Sequence, residues 1–286
     1  MTDRRPGWQA GRMAEDDPCA PLTIGDVAPL TFGSHGGQVL GWTPAGSAVS
    51  RLWLSPDHRC GPGAAIRGGI PVIFPQFSDR GPLPKHGLAR DRAWQPLVAG
   101  AYPGVRSHCL LELRDDAATR EVWPHGFRVA VRATAFATAL DVELEVTNTG
   151  PEDLEFTAAL HAYLTVGGAG AVIRGLEGRP AEDNAAGRAA ATMPDAPLDA
   201  LEPRDVAVRG ATSPVVLDDP ELGPLTVTAT GFTDVVVWNP GPGHGLADVP
   251  DGAEREFVCI EPALLLPEFL APGRLWRGST RLSVRP

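Results

Sequence analysis

Short segments that alternate apolar and polar residues recur along this chain and constrain its fold more than any other feature. In the run 140–146, LDVELEV, every second side chain is apolar. Such a period of two predicts a β-strand with one buried and one solvated face. Turn-forming stretches such as 148–151 (NTGP) and 239–243 (NPGPG) separate these segments. Many short strands joined by Gly- and Pro-rich turns predict an all-β protein, a sandwich or a barrel.

The predicted strands cover most of the chain. They are 39–43, 50–54, 108–114, 127–134, 139–148, 155–163, 214–217, 225–230, 235–238, 257–261 and 279–284. The stretch 178–205 is rich in Ala, Asp and Pro, and we interpret it as a long excursion with room for one helical turn. Residues 1–20 are polar, and we expect a disordered extension there. The predicted strands before and after this stretch are of the same kind, and no shift in composition separates them. Residues 21–286 are therefore predicted to form a single domain.

Composition and charge exclude several classes of protein. The chain has 286 residues, of which 43% are hydrophobic, which is ample for a large core. Its 35 acidic and 25 basic residues give a net charge of −10, whereas a nucleic-acid-binding protein more often has a basic balance. Neither a secretory signal nor an apolar run of about 18 residues is present, so we expect neither export nor a membrane partner. We expect a monomer, because no assembly motif is evident.

The four cysteines lack the spacing of a metal site or of a disulfide framework. They are Cys19, Cys60, Cys109 and Cys259. We therefore interpret them as free thiols of a cytoplasmic protein.

Positive charge is concentrated in residues 66–90, which contain Arg67, Lys85, His86 and Arg90. Guanidinium groups in a stiff, Pro-rich loop match the geometry of phosphate or carboxylate. In an acidic chain this cluster indicates a site for a small anion rather than for a polyanion. The alternative is an ordinary surface loop with solvated charges.

The apolar part of this loop is predicted to form an irregular strand. The run 70–77 is interrupted by Pro71 and Pro75. Proline removes a hydrogen-bond donor from a sheet and is tolerated only at edges or bulges. We therefore expect a bulged strand at the edge of a sheet, with cationic residues on either side of it.

Two further polar residues lie in apolar segments. His161 shares one face of a predicted strand with Ala159 and Tyr163, and Glu261 ends the apolar segment 257–261. Together they could act as general acid and base, because burial can bring both pKa values toward neutrality. The simpler alternatives are a hydrogen-bonded core histidine and a strand end that reaches solvent. The two residues are far apart in the sequence, so spacing does not predict their contact.

Several common catalytic motifs are absent from the sequence. No GxSxG nucleophile elbow is present. Neither GxGxxG nor GxxxxGK[ST] phosphate loops occur, and HExxH is missing as well. Trp238 follows a continuously apolar run and is interpreted as a core residue rather than as a ligand contact.

The ordered motifs of the chain resemble those of the hexose-6-phosphate mutarotases, also called glucose-6-phosphate 1-epimerases. The stretches that carry the resemblance are RGGIPVIFPQF, LPKHGLARDRAWQ, ALHAYL, DVVVWNP and FVCIEPA, with a closing pattern at 270–282. Together they span residues 30–284. The resemblance extends more loosely to the aldose 1-epimerases, and it implies a galactose-mutarotase-like β-supersandwich.

The resemblance also implies roles for individual residues. His161 of ALHAYL and Glu261 of FVCIEPA match the family's catalytic pair. Arg67 and Arg90 match its substrate-binding arginines, and His86 matches the histidine of the second motif.

Three positions depart from the family pattern. Lys85 stands where the family often has a substrate-contacting Gln. The family's substrate-binding Asp lies in a DR(I/V)Y motif, whose nearest match here is Asp205 in RDVA. The loop after Trp238 lacks the second Trp and the Lys that the family has there.

The implied function is mutarotation of a hexose 6-phosphate, with neither metal nor organic cofactor. His161 would protonate the ring oxygen and Glu261 would deprotonate the anomeric hydroxyl. Two alternatives remain: an epimerase of unphosphorylated aldoses, and a non-catalytic sugar-phosphate-binding protein on the same fold. A purely structural β-sandwich is disfavoured by the cationic loop.

Overall fold

The computed structural model describes residues 9–10, 17–211 and 214–285. The described residues contain one α-helix, α1 (Ala117–Val122), and one short 3₁₀ helix, Ala253–Arg255. The strands in chain order are β1 Gln9–Ala10, β2 Leu22–Ile24, β3 Leu30–Gly33, β4 Gln38–Trp42, β5 Val72–Ile73, β6 Gln95–Tyr102, β7 Arg106–Arg114, β8 Phe127–Ala135, β9 Ala139–Asn148, β10 Leu154–Leu160, β11 Tyr163–Thr165, β12 Val172–Arg174, β13 Pro180–Asp183, β14 Ala189–Thr192, β15 Leu198–Asp199, β16 Arg204–Val208, β17 Val215–Asp218, β18 Leu225–Thr230, β19 Asp234–Asn239, β20 Phe257–Leu270 and β21 Leu275–Val284.

These strands form three sheets in which neighbouring strands pair antiparallel. The largest has ten strands in the order β1-β6-β7-β8-β9-β21-β18-β17-β12-β15. The second has eight strands, in the order β14-β13-β16-β19-β20-β10-β5, with β11 also paired to β20. Strands β2, β3 and β4 form the third. The prediction of an all-β fold with large antiparallel sheets is confirmed.

Strand β9 shows how the alternating pattern builds the core. Leu140, Val142, Leu144 and Val146 are buried. The intervening side chains lie on the opposite face, where Asp141 pairs with a cationic residue of the neighbouring β21. Burial of aliphatic side chains contributes about 1.5–3 kcal/mol each, so the alternation fixes which face of this strand points inward.

The interpretation of 178–205 as an excursion with a helical turn was wrong. This stretch contains β13, β14, β15 and the start of β16, and no helix. All four residues of β14, an edge strand of its sheet, are exposed. A strand with no buried face has no alternation of apolar and polar residues, so the pattern on which the prediction depended was absent.

Other predicted strands differ from the structure in their bounds. The segment 50–54 contributes only isolated bridges, from Leu52 and Leu54. The segment 155–163 is divided between β10 and β11. The edge strand predicted within 70–77 is present as β5, which is two residues long, lies at the end of the eight-stranded sheet and pairs with β10 without a register shift.

The prediction of four free thiols was also wrong. Cys19 and Cys60 form a disulfide, with Cα atoms 5.8 Å apart and a sequence separation of 41. Cys109 and Cys259 are unbonded and buried. The fold brings Cys19 beside the loop that follows Leu54, a proximity that sequence spacing does not encode.

The predicted disordered extension falls mainly on residues 1–8 and 11–16, which lie outside the described residues. Within it, Gln9 and Ala10 pair with the strand β6. No helix among the described residues is long and apolar enough to cross a membrane.

Candidate active site

The register of β20 against its neighbours places His161 opposite Glu261. Strand β11 pairs Tyr163 with Cys259, and β10 continues the same antiparallel register on the other side of a two-residue link. His161 lies in that link, and its backbone N–H donates to the carbonyl of a residue in the 66–90 loop (3.0 Å). As a result Nδ1 of His161 lies 3.4 Å from Oε1 of Glu261.

Glu261 does not end its strand, as the sequence suggested, because β20 continues through Pro262 to Leu270. The carboxylate is therefore buried, with 1% of the residue exposed. His161 is 7% exposed. Burying an ionised carboxylate this deep in an apolar sheet costs free energy unless a partner compensates its charge, so its presence here indicates a partner or a function.

Burial and neighbouring charges shift the two pKa values in opposite directions. Burial raises the pKa of Glu261 well above its usual value, the charge of Asp205 adds to this, and Arg90 acts against it. Burial lowers the pKa of His161 well below its usual value, and His86 and Arg90 add to that effect. Glu261 is thus a stronger base when ionised, and His161 a stronger acid when protonated, than in water.

The pair has unused hydrogen-bonding capacity. Among the described residues, Nδ1 of His161 and Oε2 of Glu261 have no hydrogen-bond partner although both atoms are buried. The His161 ring stacks on Tyr163, with centroids 4.8 Å apart and planes 8° apart. Trp238 meets it edge-on at 6.0 Å. Two aromatic rings therefore fix the imidazole while the polar atoms stay available to a ligand.

His86 is held as a neutral hydrogen-bond donor. The backbone N–H of Ser78 donates to Nδ1 of His86 (3.3 Å), and the backbone N–H of His86 donates back to the Ser78 carbonyl (2.9 Å). Burial and the charge of Arg90 lower the pKa of His86 to about 2. A neutral ring that accepts at Nδ1 carries its proton on Nε2.

The loop residues Arg67, Lys85 and Arg90 differ in how their charges are compensated, while the fourth cation of the loop, Arg80, pairs with Glu182. Arg67 donates from Nε to Oδ2 of Asp248 (3.1 Å) and from Nη1 to the hydroxyl of Tyr163 (2.9 Å). Arg90 donates to the backbone carbonyl of Lys85 (3.2 Å). Within the described part of the chain, neither Arg90 nor Lys85 has a carboxylate within 4.0 Å. Arg90 and Lys85 are therefore the cations available to an anionic ligand.

Asp205 is positioned by a short chain of polar contacts. Asn184 donates from Nδ2 to Oδ1 of Asp205 (2.7 Å), and Arg80 donates to Oδ1 of Asn184 (3.0 Å) and to Glu182 (2.6 Å). Burial raises the pKa of Asp205, and the hydrogen bond from Asn184 opposes that rise.

All seven residues predicted to form the site line one cavity of about 280 Å³. They are His161, Glu261, Arg67, Lys85, His86, Arg90 and Asp205. Larger hollows of about 600 and 450 Å³ lie on the ten-stranded sheet, and none of these seven residues lines them. The smaller cavity has the size of a small-molecule site and contains His161, Glu261 and the two cations that lack an ion-pair partner among the described residues.

Some residues of the site were missed from the sequence. Trp238 packs against the buried cluster that contains Tyr163 and Phe257, as its interpretation as a core residue implies, but it is half-buried and also lines the cavity. Asn184 also lines the cavity, but it lies in the stretch interpreted as an excursion and gave no signal. Tyr163 could have been found, because it shares a strand face with His161. Nothing in the sequence linked Asp248 to Arg67.

The chain is similar to known proteins over most of its length. Residues 22–283 match the family model described as aldose 1-epimerase. One relative is a protein of Cenchrus ciliaris named "Putative glucose-6-phosphate 1-epimerase", to which the chain is 31% identical over 264 residues. The alignment covers 88% of this chain and 80% of the relative. An Escherichia coli K12 protein of the same name is 32% identical over 246 residues, 82% of this chain and 79% of the relative.

Solved structures show the same architecture. A crystal structure described as a putative mutarotase from Salmonella typhimurium superposes with a TM-score of 0.81 at 27% identity, covering 90% of this chain and 88% of that one. A galactose mutarotase-like protein from Lactobacillus casei superposes with a TM-score of 0.74 at 14% identity, covering 93% and 100%. The latter likeness concerns the fold alone.

Proposed function

The chain belongs to the aldose 1-epimerase family, and from this premise we propose that it is a hexose-6-phosphate mutarotase that interconverts the α and β anomers of glucose 6-phosphate or a related sugar. The observation that supports this most strongly is the cavity in which His161 faces Glu261 beside Arg90 and Lys85, two cations without an ion-pair partner among the described residues. The pair suits general acid–base catalysis, and the cations suit a phosphate.

The reaction opens and recloses the pyranose ring. Glu261 accepts the proton of the anomeric hydroxyl while protonated His161 donates a proton to the ring oxygen. The bond between C1 and the ring oxygen breaks, and C1 becomes an aldehyde. Rotation about the bond between C1 and C2 followed by the reverse proton transfers gives the other anomer. Each proton transfer contributes about 10²- to 10⁴-fold to the rate.

A bound phosphate would also favour the protonated form of His161, the proposed acid of ring opening. The positive charges of Arg90 and Arg67 help to lower the pKa of His161. A bound phosphate dianion offsets those charges, so it raises the pKa of His161 and increases the fraction of the imidazolium acid.

The remaining residues have distinct tasks in this proposal. Arg90 and Lys85 bind the phosphate, because their charges are uncompensated. Arg67, held by Asp248 and Tyr163, orients the sugar through its remaining N–H groups. The Nε2 proton of His86 and the carboxylate of Asp205 supply a donor and an acceptor for sugar hydroxyls.

The test compares kcat/KM for glucose 6-phosphate, galactose 6-phosphate and free glucose, by polarimetry or NMR exchange. We expect the phosphorylated sugars to be preferred. Arg90→Ala should lower kcat/KM for glucose 6-phosphate about tenfold to a hundredfold, because a hydrogen bond to a charged group contributes about 1.5–3 kcal/mol. Free glucose should be affected little. Arg59→Ala, which removes an exposed arginine outside the cavity, is the matched control.

Two results would replace this proposal. Equal turnover of glucose and glucose 6-phosphate would assign the protein to unphosphorylated aldoses. Binding of glucose 6-phosphate without any catalysed anomerisation would assign it to the non-catalytic alternative. Cytoplasmic location and a monomeric state remain predictions.

A further inference from the structure

Cys259 lies next to the acid–base pair and is not used by the proposed reaction. It is two residues before Glu261 in β20, so both side chains point to the same face of the strand. The link between β10 and β11 brings His161 to that face as well. One ligand atom from each of these three residues, Sγ, a carboxylate oxygen and an imidazole nitrogen, lies within 4.8 Å of the other two.

We propose that Cys259, His161 and Glu261 form a binding site for a thiophilic divalent cation such as Zn²⁺, and that the bound ion blocks the acid–base pair. The set of one sulfur, one nitrogen and one oxygen donor matches the preferences of zinc. Three protein ligands leave a fourth coordination position open, as in zinc sites that bind water or substrate.

The spacing of the two polar ligands fits a tetrahedral ion. Zinc lies about 2.0–2.1 Å from nitrogen and oxygen ligands. Two such ligands at the tetrahedral angle are about 3.3 Å apart by the same bond lengths. The observed distance between Nδ1 of His161 and Oε1 of Glu261 is 3.4 Å. This pair therefore needs little rearrangement to bind the ion.

The three ligands are buried and lack competing partners. Nδ1 of His161 and Oε2 of Glu261 have no hydrogen-bond partner within the described part of the chain, and Cys259 is unbonded and fully buried. A thiolate and a carboxylate together neutralise a divalent ion. This matters because the cavity also contains Arg67 and Arg90, whose charges oppose a cation.

The same donor set disfavours hard cations. Mg²⁺ and Ca²⁺ bind oxygen ligands, and Mg²⁺ in particular is reluctant to lose its water. A buried site with one carboxylate and one sulfur provides too few oxygen ligands for either ion. The site should therefore discriminate between Zn²⁺ and Mg²⁺.

The first experiment measures metal binding without reference to activity. The full-length protein is titrated with Co²⁺, which takes the place of zinc and shows a thiolate-to-cobalt charge-transfer band in the near ultraviolet. Because reduction of the Cys19–Cys60 disulfide would turn Cys19, His35 and Cys60 into another candidate cluster, all variants are made in a Cys60→Ser background. We expect the band in Cys60→Ser and in Cys60→Ser/Cys109→Ser, and its loss in Cys60→Ser/Cys259→Ser. Absence of the band in Cys60→Ser itself would overturn the proposal.

The second experiment measures inhibition of mutarotation by Zn²⁺ in the same variants. Cys259 is outside the cavity lining, so Cys259→Ser should keep its activity without metal. We expect Cys60→Ser to be inhibited at a Zn²⁺ concentration at least tenfold lower than Cys60→Ser/Cys259→Ser, with reversal by chelator and no effect of Mg²⁺. Equal sensitivity of the two variants would contradict the proposed site. If the protein has no mutarotase activity, the cobalt band still decides whether the site exists.

Discussion

His161 and Glu261 face each other across the junction of β10, β11 and β20, with Nδ1 of the first 3.4 Å from Oε1 of the second. Their contact follows from the strand register and not from their separation in sequence. The environment moves their pKa values in opposite directions, so the pH dependence of the reaction reports the charges around them.

Two substitutions should move the acid limb of the pH–rate profile in opposite directions. Asp205 raises the pKa of Glu261 and Arg90 lowers it. The carboxylate is active when ionised, so activity is lost as pH falls through its pKa. Asp205→Asn should therefore move the acid limb of kcat/KM to lower pH, and Arg90→Ala should move it to higher pH.

Each variant is compared with the wild type on the same substrate, because ionisation of the substrate phosphate then affects both pH–rate profiles equally. Asp195→Asn, at an exposed position outside the cavity, should leave the limb where it is. A shift of both variants in the same direction would rule out Glu261 as the group that titrates on the acid side.

The fold class and much of the site could be predicted from the sequence, because alternation reports burial and the motifs report chemistry. β9 and β18 occupy the ranges predicted for them. The edge strand β14 was missed because a strand without a buried face shows no alternation. Asn184 follows β13, whose pairing with β14 the sequence did not reveal. Contacts such as Arg67 with Asp248 join residues 181 positions apart, and no local pattern encodes them.

The buried neutral His86 should make the fold sensitive to acid. Its pKa is about 2 in the folded state and about 6.5 in the unfolded chain. Between these values the unfolded state binds a proton that the folded state does not, so the free energy of unfolding falls as pH decreases below about 6.5. The slope from this group is at most about 1.4 kcal/mol per pH unit.

His86→Asn tests this contribution. The Asn carbonyl oxygen can accept from the Ser78 N–H as Nδ1 does, and Asn tolerates the positive φ of 70° at this position. Urea unfolding at several pH values between about 4 and 7 should show a shallower decline for His86→Asn than for the wild type. Parallel curves would show that His86 is not neutral in the folded protein.

The disulfide between Cys19 and Cys60 should stabilise the oxidised protein. It closes a loop of 41 residues, and a cross-link of this span contributes about 2–4 kcal/mol, mainly by restricting the unfolded chain. Dithiothreitol should therefore lower Tm of the wild type by several degrees. Cys60→Ser should already have the lower Tm and should not respond to the reductant. An unchanged Tm of the wild type under reduction would contradict this contribution.

The central claim is that Glu261 and His161 interconvert the anomers of a hexose 6-phosphate, and NMR exchange between the α and β anomers of glucose 6-phosphate tests it most directly. Glu261→Gln should lower the catalysed exchange rate by at least about 10²-fold with unchanged circular dichroism, because it removes the base while keeping the shape of the side chain. Glu268→Gln, further along the same strand, is the control and should retain wild-type exchange. Near-wild-type exchange by Glu261→Gln, or no catalysed exchange by the wild-type protein, would contradict the account.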